Sequence, residues 1–229
     1  METLSGRYTL ELAPGTFPLS TDSMVLADFV RLGRNARVLD LGSGCGTLGL
    51  LLCARDPGCR VTGVELTETA HRAALHNIAV NSLGDRLSSL CADLRQMPPE
   101  IQPGSFSCCV SNPPYFSGGE ASRKTPLARR EDCCSPGALF RAASRALRFG
   151  GDFFLVHRPE KLAQLCREAS CAGLEPKTLC LVRHQSDKPI AMILLRCRKG
   201  GKPGLTIEEM NLHNADGTPT DDYRRIYHL

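Results

Sequence analysis

The chain has 229 residues, 42% of them hydrophobic, and a formal net charge of +4. That length can bury a full core as one domain, and no apolar run approaches the roughly 18 residues a membrane span requires, so a membrane protein is not expected. Its twelve cysteines form no CxxC pair and no disulfide-like framework, and the N-terminus METLSGRYTLELAPG lacks a signal peptide's basic start and apolar stretch, so zinc and an oxidising compartment are not expected and a reducing cytoplasm is.

About 36 residues precede the first predicted strand, Arg37–Leu41. The stretch RVLDLGSGCGTLGLLL then runs strand, glycine loop, helix, with the helix predicted over Thr47–Arg55. Gly42, Gly44 and Gly46 alternate directly after Asp40, where glycine permits positive φ and close approach of a ligand to the backbone. The second strand, Arg60–Val64, leads to Glu65, about 20 residues past the loop, where an acid accepts hydrogen bonds from a ribose diol. Together these point to an adenosine-containing cofactor. Gly44-Cys-Gly46-Thr-Leu-Gly49 also matches the GxGxxG dinucleotide fingerprint, so a nicotinamide cofactor is an alternative on these residues alone.

A helix is predicted over Thr67–Asn81 from Ala70, Ala73, Ala74, Ile78 and Ala79 at helical spacing. The third strand, Leu87–Cys91, is followed by Asp93 and Leu94. The fourth, Phe106–Val110, runs into Asn112-Pro113-Pro114-Tyr115-Phe116. Two prolines end a strand ladder and hold the preceding residue extended, so Asn112 is presented rigidly at a strand end. A delocalised amine is a poor nucleophile. It can be methylated when acceptors orient its lone pair, and the Asn112 side-chain carbonyl and the Pro113 backbone carbonyl can do this without a strong base. Tyr115 and Phe116 can stack on a planar base.

Further on, helices are predicted over Gly137–Leu147 and Glu160–Ala172 and strands over Asp152–His157, Thr178–Arg183 and Ile190–Arg198, with Gly150-Gly151 and Gly173 marking helix ends. Strand–helix alternation implies an α/β fold, a mostly parallel seven-stranded sheet with helices on both faces and an antiparallel last strand. The tail from Leu205 is expected to wrap the sheet edge. Charge is uneven: residues 1–114 carry 9 Lys/Arg against 11 Asp/Glu, and residues 115–229 carry 19 against 13. The basic stretch SRKTPLARR, with Arg123, Lys124, Arg129 and Arg130, follows the Asn-Pro-Pro-Tyr segment and can grip phosphates around an extruded base.

The glycine loop as Asp-x-Gly-x-Gly-x-Gly, together with SNPPYF, resembles the class I S-adenosylmethionine-dependent methyltransferases of the small methyltransferase group. Adding FPLSTDSMVLADF, VTGVEL, LARRED, LRFGGDFFLVHRPEKL and the terminal GKPGLTIEEM…DGTPTDDYRRIY, the chain is similar over nearly its whole length to the bacterial tRNA(Val) adenine-N6 methyltransferase family. The resemblance implies a Rossmann-like fold, S-adenosylmethionine as cofactor and tRNA as partner. It implies cofactor contacts from Asp22, Asp40, Gly42, Ser43, Gly44, Gly46, Glu65, Leu66, Asp93, Leu94 and Asn112, with the acid Asp93 on the adenine amino group. It implies a catalytic segment Asn112, Pro113, Pro114 and Tyr115, with substrate contacts from Tyr115, Phe116, Arg123, Lys124, Arg129 and Arg130. Residues 1–36 would cover the cofactor, 37–204 form the core and 205–229 the tail. A protein glutamine methyltransferase shares Asn-Pro-Pro-Tyr, but those that modify release factors carry an extra N-terminal helical domain for which 36 residues are too few. DNA amino-methyltransferases add a target-recognition domain for which there is no room, and an idle binding subunit would not need Asn112.

Overall fold

Unbroken runs of Val, Leu, Ile and Cys cannot alternate between core and solvent, so they form strands covered on both faces. The computed structural model describes residues 2–4, 8–12, 19–113 and 135–227. Its strands are β1 (Glu2–Leu4), β2 (Tyr8–Leu10), β3 (Arg37–Leu41), β4 (Arg60–Glu65), β5 (Leu87–Cys91), β6 (Phe106–Ser111), β7 (Leu147–His157), β8 (Leu174–Gln185), β9 (Met192–Lys199) and β10 (Thr206–His213). Its helices are α1 (Thr21–Phe29), α2 (Thr47–Arg55), α3 (Glu68–Val80), α4 (Pro136–Ala146), α5 (Leu162–Cys171) and α6 (Asp221–Tyr227).

β1 and β2 make a small antiparallel hairpin, and the other eight strands form one sheet in the order β10-β8-β9-β7-β6-β3-β4-β5. Among the described strands of this sheet, only β9 runs against its neighbours, β7 and β8. The sheet thus holds one strand more than the seven expected. The tail does wrap the edge, and it does so by adding β10 parallel to β8 and then returning as α6.

The sheet separates two apolar layers. Phe153 and Phe154, adjacent on β7, point to opposite faces, as strand geometry requires. Phe154 meets Phe29 of α1 edge-on at 5.8 Å, and Phe153 meets Phe140 of α4 at 5.3 Å. Each fully buried ring contributes about 1.5–3 kcal/mol through burial. α2 is apolar along most of its length and packs tightly, so that a β-carbon on Gly49 would lie 2.6 Å from a Leu87 methyl. The Arg55 guanidinium at its end donates to the carbonyls of Ala27 and Val30, satisfying groups at the end of α1.

Gly150-Gly151 do not end a helix as expected. They lie inside β7, which begins at Leu147. Gly150 takes φ +76°, and the pairing with β6 shifts register between Phe106 and Cys108, so the glycines form a bulge that lets the strand pair five residues earlier than expected. Chain order along the sheet reverses between β3 and β6. Such a switch point leaves a crevice at the strands' carboxyl ends, and both the glycine loop and Asn112 stand there.

Candidate active site

The glycine loop takes its shape from three left-handed residues, Gly42 (φ 78°), Gly44 (φ 55°) and Gly46 (φ 86°). The first and second meet nothing within 4 Å where a β-carbon would be, so backbone conformation rather than crowding demands glycine there. The loop is tied to the end of β4. Gly42 and Ser43 donate to the Val64 carbonyl at 2.9 and 3.1 Å, and Gly44 donates to Glu65 Oε2 at 3.0 Å. The other Glu65 oxygen accepts from the backbone and hydroxyl of Thr67 at 2.9 and 2.7 Å. Glu65 therefore holds the loop in place.

Asp40 is 1% exposed, and neither carboxylate oxygen has a hydrogen-bond partner among the described residues; the buried Ser43 hydroxyl is alike. Burial, reinforced by the neighbouring Glu65 charge, pushes the Asp40 pKa from 3.8 up to about 8. A buried acid with nothing to accept from is costly, and this pair of side chains is suited to a ligand bearing donors and positive charge. Gly63 makes room for Ser43: a β-carbon on it would lie 2.6 Å from the Ser43 hydroxyl oxygen.

Asp93 follows β5 and is gripped by Arg95, whose bonds hold its carboxyl below the ordinary range. The Ala92 amide donates to the Glu65 carbonyl at 2.9 Å, which fixes the start of this segment beside β4. Leu66 is 40% exposed, whereas Leu94 is buried among core side chains. Asp22 lies in the first turn of α1.

Across the switch point, the Ser111 hydroxyl donates to the Leu41 carbonyl at 2.7 Å, stapling the end of β6 to the root of the glycine loop. Asn112 follows at once, and its Nδ2 donates to Ser23 Oγ of α1 at 3.0 Å. Pro113 is buried. Pro114, Tyr115, Phe116, Arg123, Lys124, Arg129 and Arg130 lie outside the described residues.

Four contributors escaped the sequence reading. Ser23 and Ser111 are hydroxyls in apolar surroundings. Asn77, fully buried on α3, donates to the carbonyls of Cys45 in the glycine loop and of Glu11, and accepts from the Glu11 amide. Asn81, four residues on, bonds both backbone groups of Thr9. The signal was present as two asparagines at i, i+4 beside an alanine-rich stripe.

A doubly wound sheet with a glycine loop after an acid and a second acid ending the next strand is the arrangement of the class I methyltransferases. The chain belongs to the family described as the methyltransferase small domain, whose model matches residues 18–166. Among curated proteins it is 30% identical to the tRNA1(Val) (adenine(37)-N6)-methyltransferase of Vibrio parahaemolyticus, over 97% of this chain and 92% of that one. It is 31% identical to the protein of that name from Aeromonas hydrophila, over 91% and 87%. Among solved structures, a predicted O-methyltransferase from Agrobacterium tumefaciens superposes with a TM-score of 0.74 at 22% identity, over 91% of this chain and 96% of that one. Geranyl diphosphate C-methyltransferase from Streptomyces coelicolor, solved with S-adenosyl-L-homocysteine, gives 0.55 at 15% identity, over 76% and 78%. These last two likenesses speak to the fold. The chain is a methyltransferase, and the methyl donor of its class is S-adenosylmethionine.

Proposed function

We propose that this enzyme methylates the exocyclic N6 of an adenine in tRNA, with adenine 37 of tRNA1(Val) as the target that its relatives' names suggest, and that it works in the cytoplasm. The observation that carries the reading is Asn112-Pro113 at the end of β6, across the switch point from the glycine loop.

S-adenosylmethionine supplies an electrophilic methyl group on a sulfonium. The chain fits that cofactor. The Asp40 carboxyl, unpartnered among the described residues, suits its ammonium, Glu65 its ribose hydroxyls and Asp93 its adenine amine, with Gly42, Ser43, Gly44, Gly46, Leu66, Leu94 and Asp22 around them. Residues 1–36 cover this site, and residues 37–204 build it. On the other side, the Asn112 side-chain carbonyl and the Pro113 backbone carbonyl accept from the two protons of the target amine and aim its lone pair outward. Pro114 stiffens the segment, Tyr115 and Phe116 stack on the base, and Arg123, Lys124, Arg129 and Arg130 hold phosphates beside it.

The test is incubation with labelled S-adenosylmethionine and total RNA from a strain lacking the gene, followed by digestion and nucleoside mass analysis. N6-methyladenosine from tRNA1(Val) is expected. The absence of any labelled N6-methyladenosine from that RNA would overturn the reading.

A further inference from the structure

The side chain of Asn112 has one freedom that its backbone does not remove. Ser111 is anchored to Leu41, and Pro113 is buried, so the main chain at 112 is fixed on both sides. An amide has two orientations about χ2, which exchange its acceptor end for its donor end, and the backbone does not choose between them. Only one orientation accepts protons from an amine. The reverse sets donor against donor.

Ser23 meets this freedom. It lies in the first turn of α1, where Met24, Val25 and Leu26 are buried as well, and is itself 6% exposed. A hydroxyl among apolar neighbours needs partners. Its oxygen accepts from Asn112 Nδ2 at 3.0 Å, its backbone N–H donates to the capping hydroxyl of Ser20 at 3.3 Å, and the two hydroxyl oxygens stand 3.4 Å apart. With the Ser23 proton turned toward Ser20, its lone pairs face Asn112.

We infer that Ser23 is a positioning residue for methyl transfer: it holds the donor end of the Asn112 amide and so presents the carbonyl end to the target amine. This rests on the role given to Asn112 above. Ser23 touches no reacting atom and acts through Asn112 alone. Its own position is set by the far end of the chain. The Arg225 guanidinium forks onto Asp28 at 3.2 and 3.0 Å, and the Tyr227 hydroxyl meets the Thr21 hydroxyl at 3.3 Å, two residues before Ser23. α6 thereby braces α1 at both its ends.

Two variants separate orientation from folding: Ser23→Ala, and Ser23→Cys, which nearly keeps the volume but accepts hydrogen bonds weakly. In full-length protein labelled on asparagine side-chain nitrogen, the Asn112 amide signal is identified by its loss in Asn112→Ala. Both Ser23 variants should shift that signal and raise its exchange rate about tenfold. With the RNA substrate, kcat should fall about tenfold while KM and cofactor affinity stay unchanged. In an Asn112→Ala background, the Ser23 change should cost nothing further. An Asn112 amide with the same shift and exchange in wild type and in the folded variants would overturn the inference, as would a loss that persists in the Asn112→Ala background. Should the wild type methylate no RNA, the proposed substrate fails, and the amide spectrum still decides the role of Ser23.

Discussion

Asp40 makes the stability of this protein depend on pH in a direction opposite to that of most carboxylates. Its pKa rises from 3.8 in the unfolded chain to about 8 in the fold, first through burial and second through Glu65. Between those values the native state holds a proton that the unfolded state has released. Stability is therefore greatest at low pH, as far as this group is concerned, and falls by about 1.4 kcal/mol per pH unit until the folded pKa is passed. Between pH 4 and pH 7 the loss is on the order of 4 kcal/mol. Asp40→Asn keeps the shape and removes the charge, so it should be free of this slope.

The assay is urea unfolding of wild type and Asp40→Asn from pH 4 to pH 8. Other groups titrate alike in both chains, so the difference between their stabilities isolates Asp40. That difference should move in favour of the variant as pH rises. A cationic ligand beside Asp40 reverses the cost of ionisation, so cofactor binding near pH 7 should release about one proton in the wild type and none in the variant. Calorimetry in two buffers of different ionisation enthalpy reads this directly. Parallel stability profiles for the two chains would refute the reasoning, because they would mean that Asp40 is ionised and solvated in the fold.

Glu65→Ala should weaken cofactor binding by about 1.5–3 kcal/mol in calorimetry, through lost hydrogen bonds from the ribose and from the Gly44 and Thr67 amides it now holds. Asn112→Ala should leave that affinity nearly intact and lower single-turnover methyl transfer by about 10²-fold or more. Gly63→Ala drives a methyl group into Ser43 Oγ at 2.6 Å, so thermal unfolding should register a loss of about 1–3 kcal/mol, and Ser43→Gly in the same chain should restore most of it. Changing Arg123, Lys124, Arg129 and Arg130 together to Ala should weaken binding to RNA of any sequence and flatten its salt dependence by roughly 0.7–0.9 in log–log slope per lost contact, with cofactor affinity unmoved.

The central strands were legible because continuous apolar runs bounded by glycine have few other solutions. β3, β5 and α2 fall on the residues expected of them. α1 was missed because its apolar residues come as a block, buried on most sides between α2 and the sheet, and so show no stripe. β10 was missed for the opposite reason. It is an edge strand, its first four residues are exposed, and Glu208 and Glu209 interrupt any alternation. The candidate site divides in the same way. Loop glycines and acids declare themselves by spacing, whereas Ser23 and Ser111 matter through partners 89 and 70 residues away, and no local pattern encodes such distances.

Those long ties set a timetable for a chain made from one end. Thr9 and Glu11 leave the ribosome well before Asn81 and Asn77, the side chains that receive them 72 and 66 residues later. Asp28 waits longer still, since Arg225 follows it by 197 residues. A growing chain can form β3, α2 and β4 early, and with them the glycine loop, while α1 stays without its brace. Assembly of the crevice is then complete only once α6 has been made. A chain stalled before α6 would carry the loop and Asn112 yet lack the strut that holds α1 against them, so the site waits for α6.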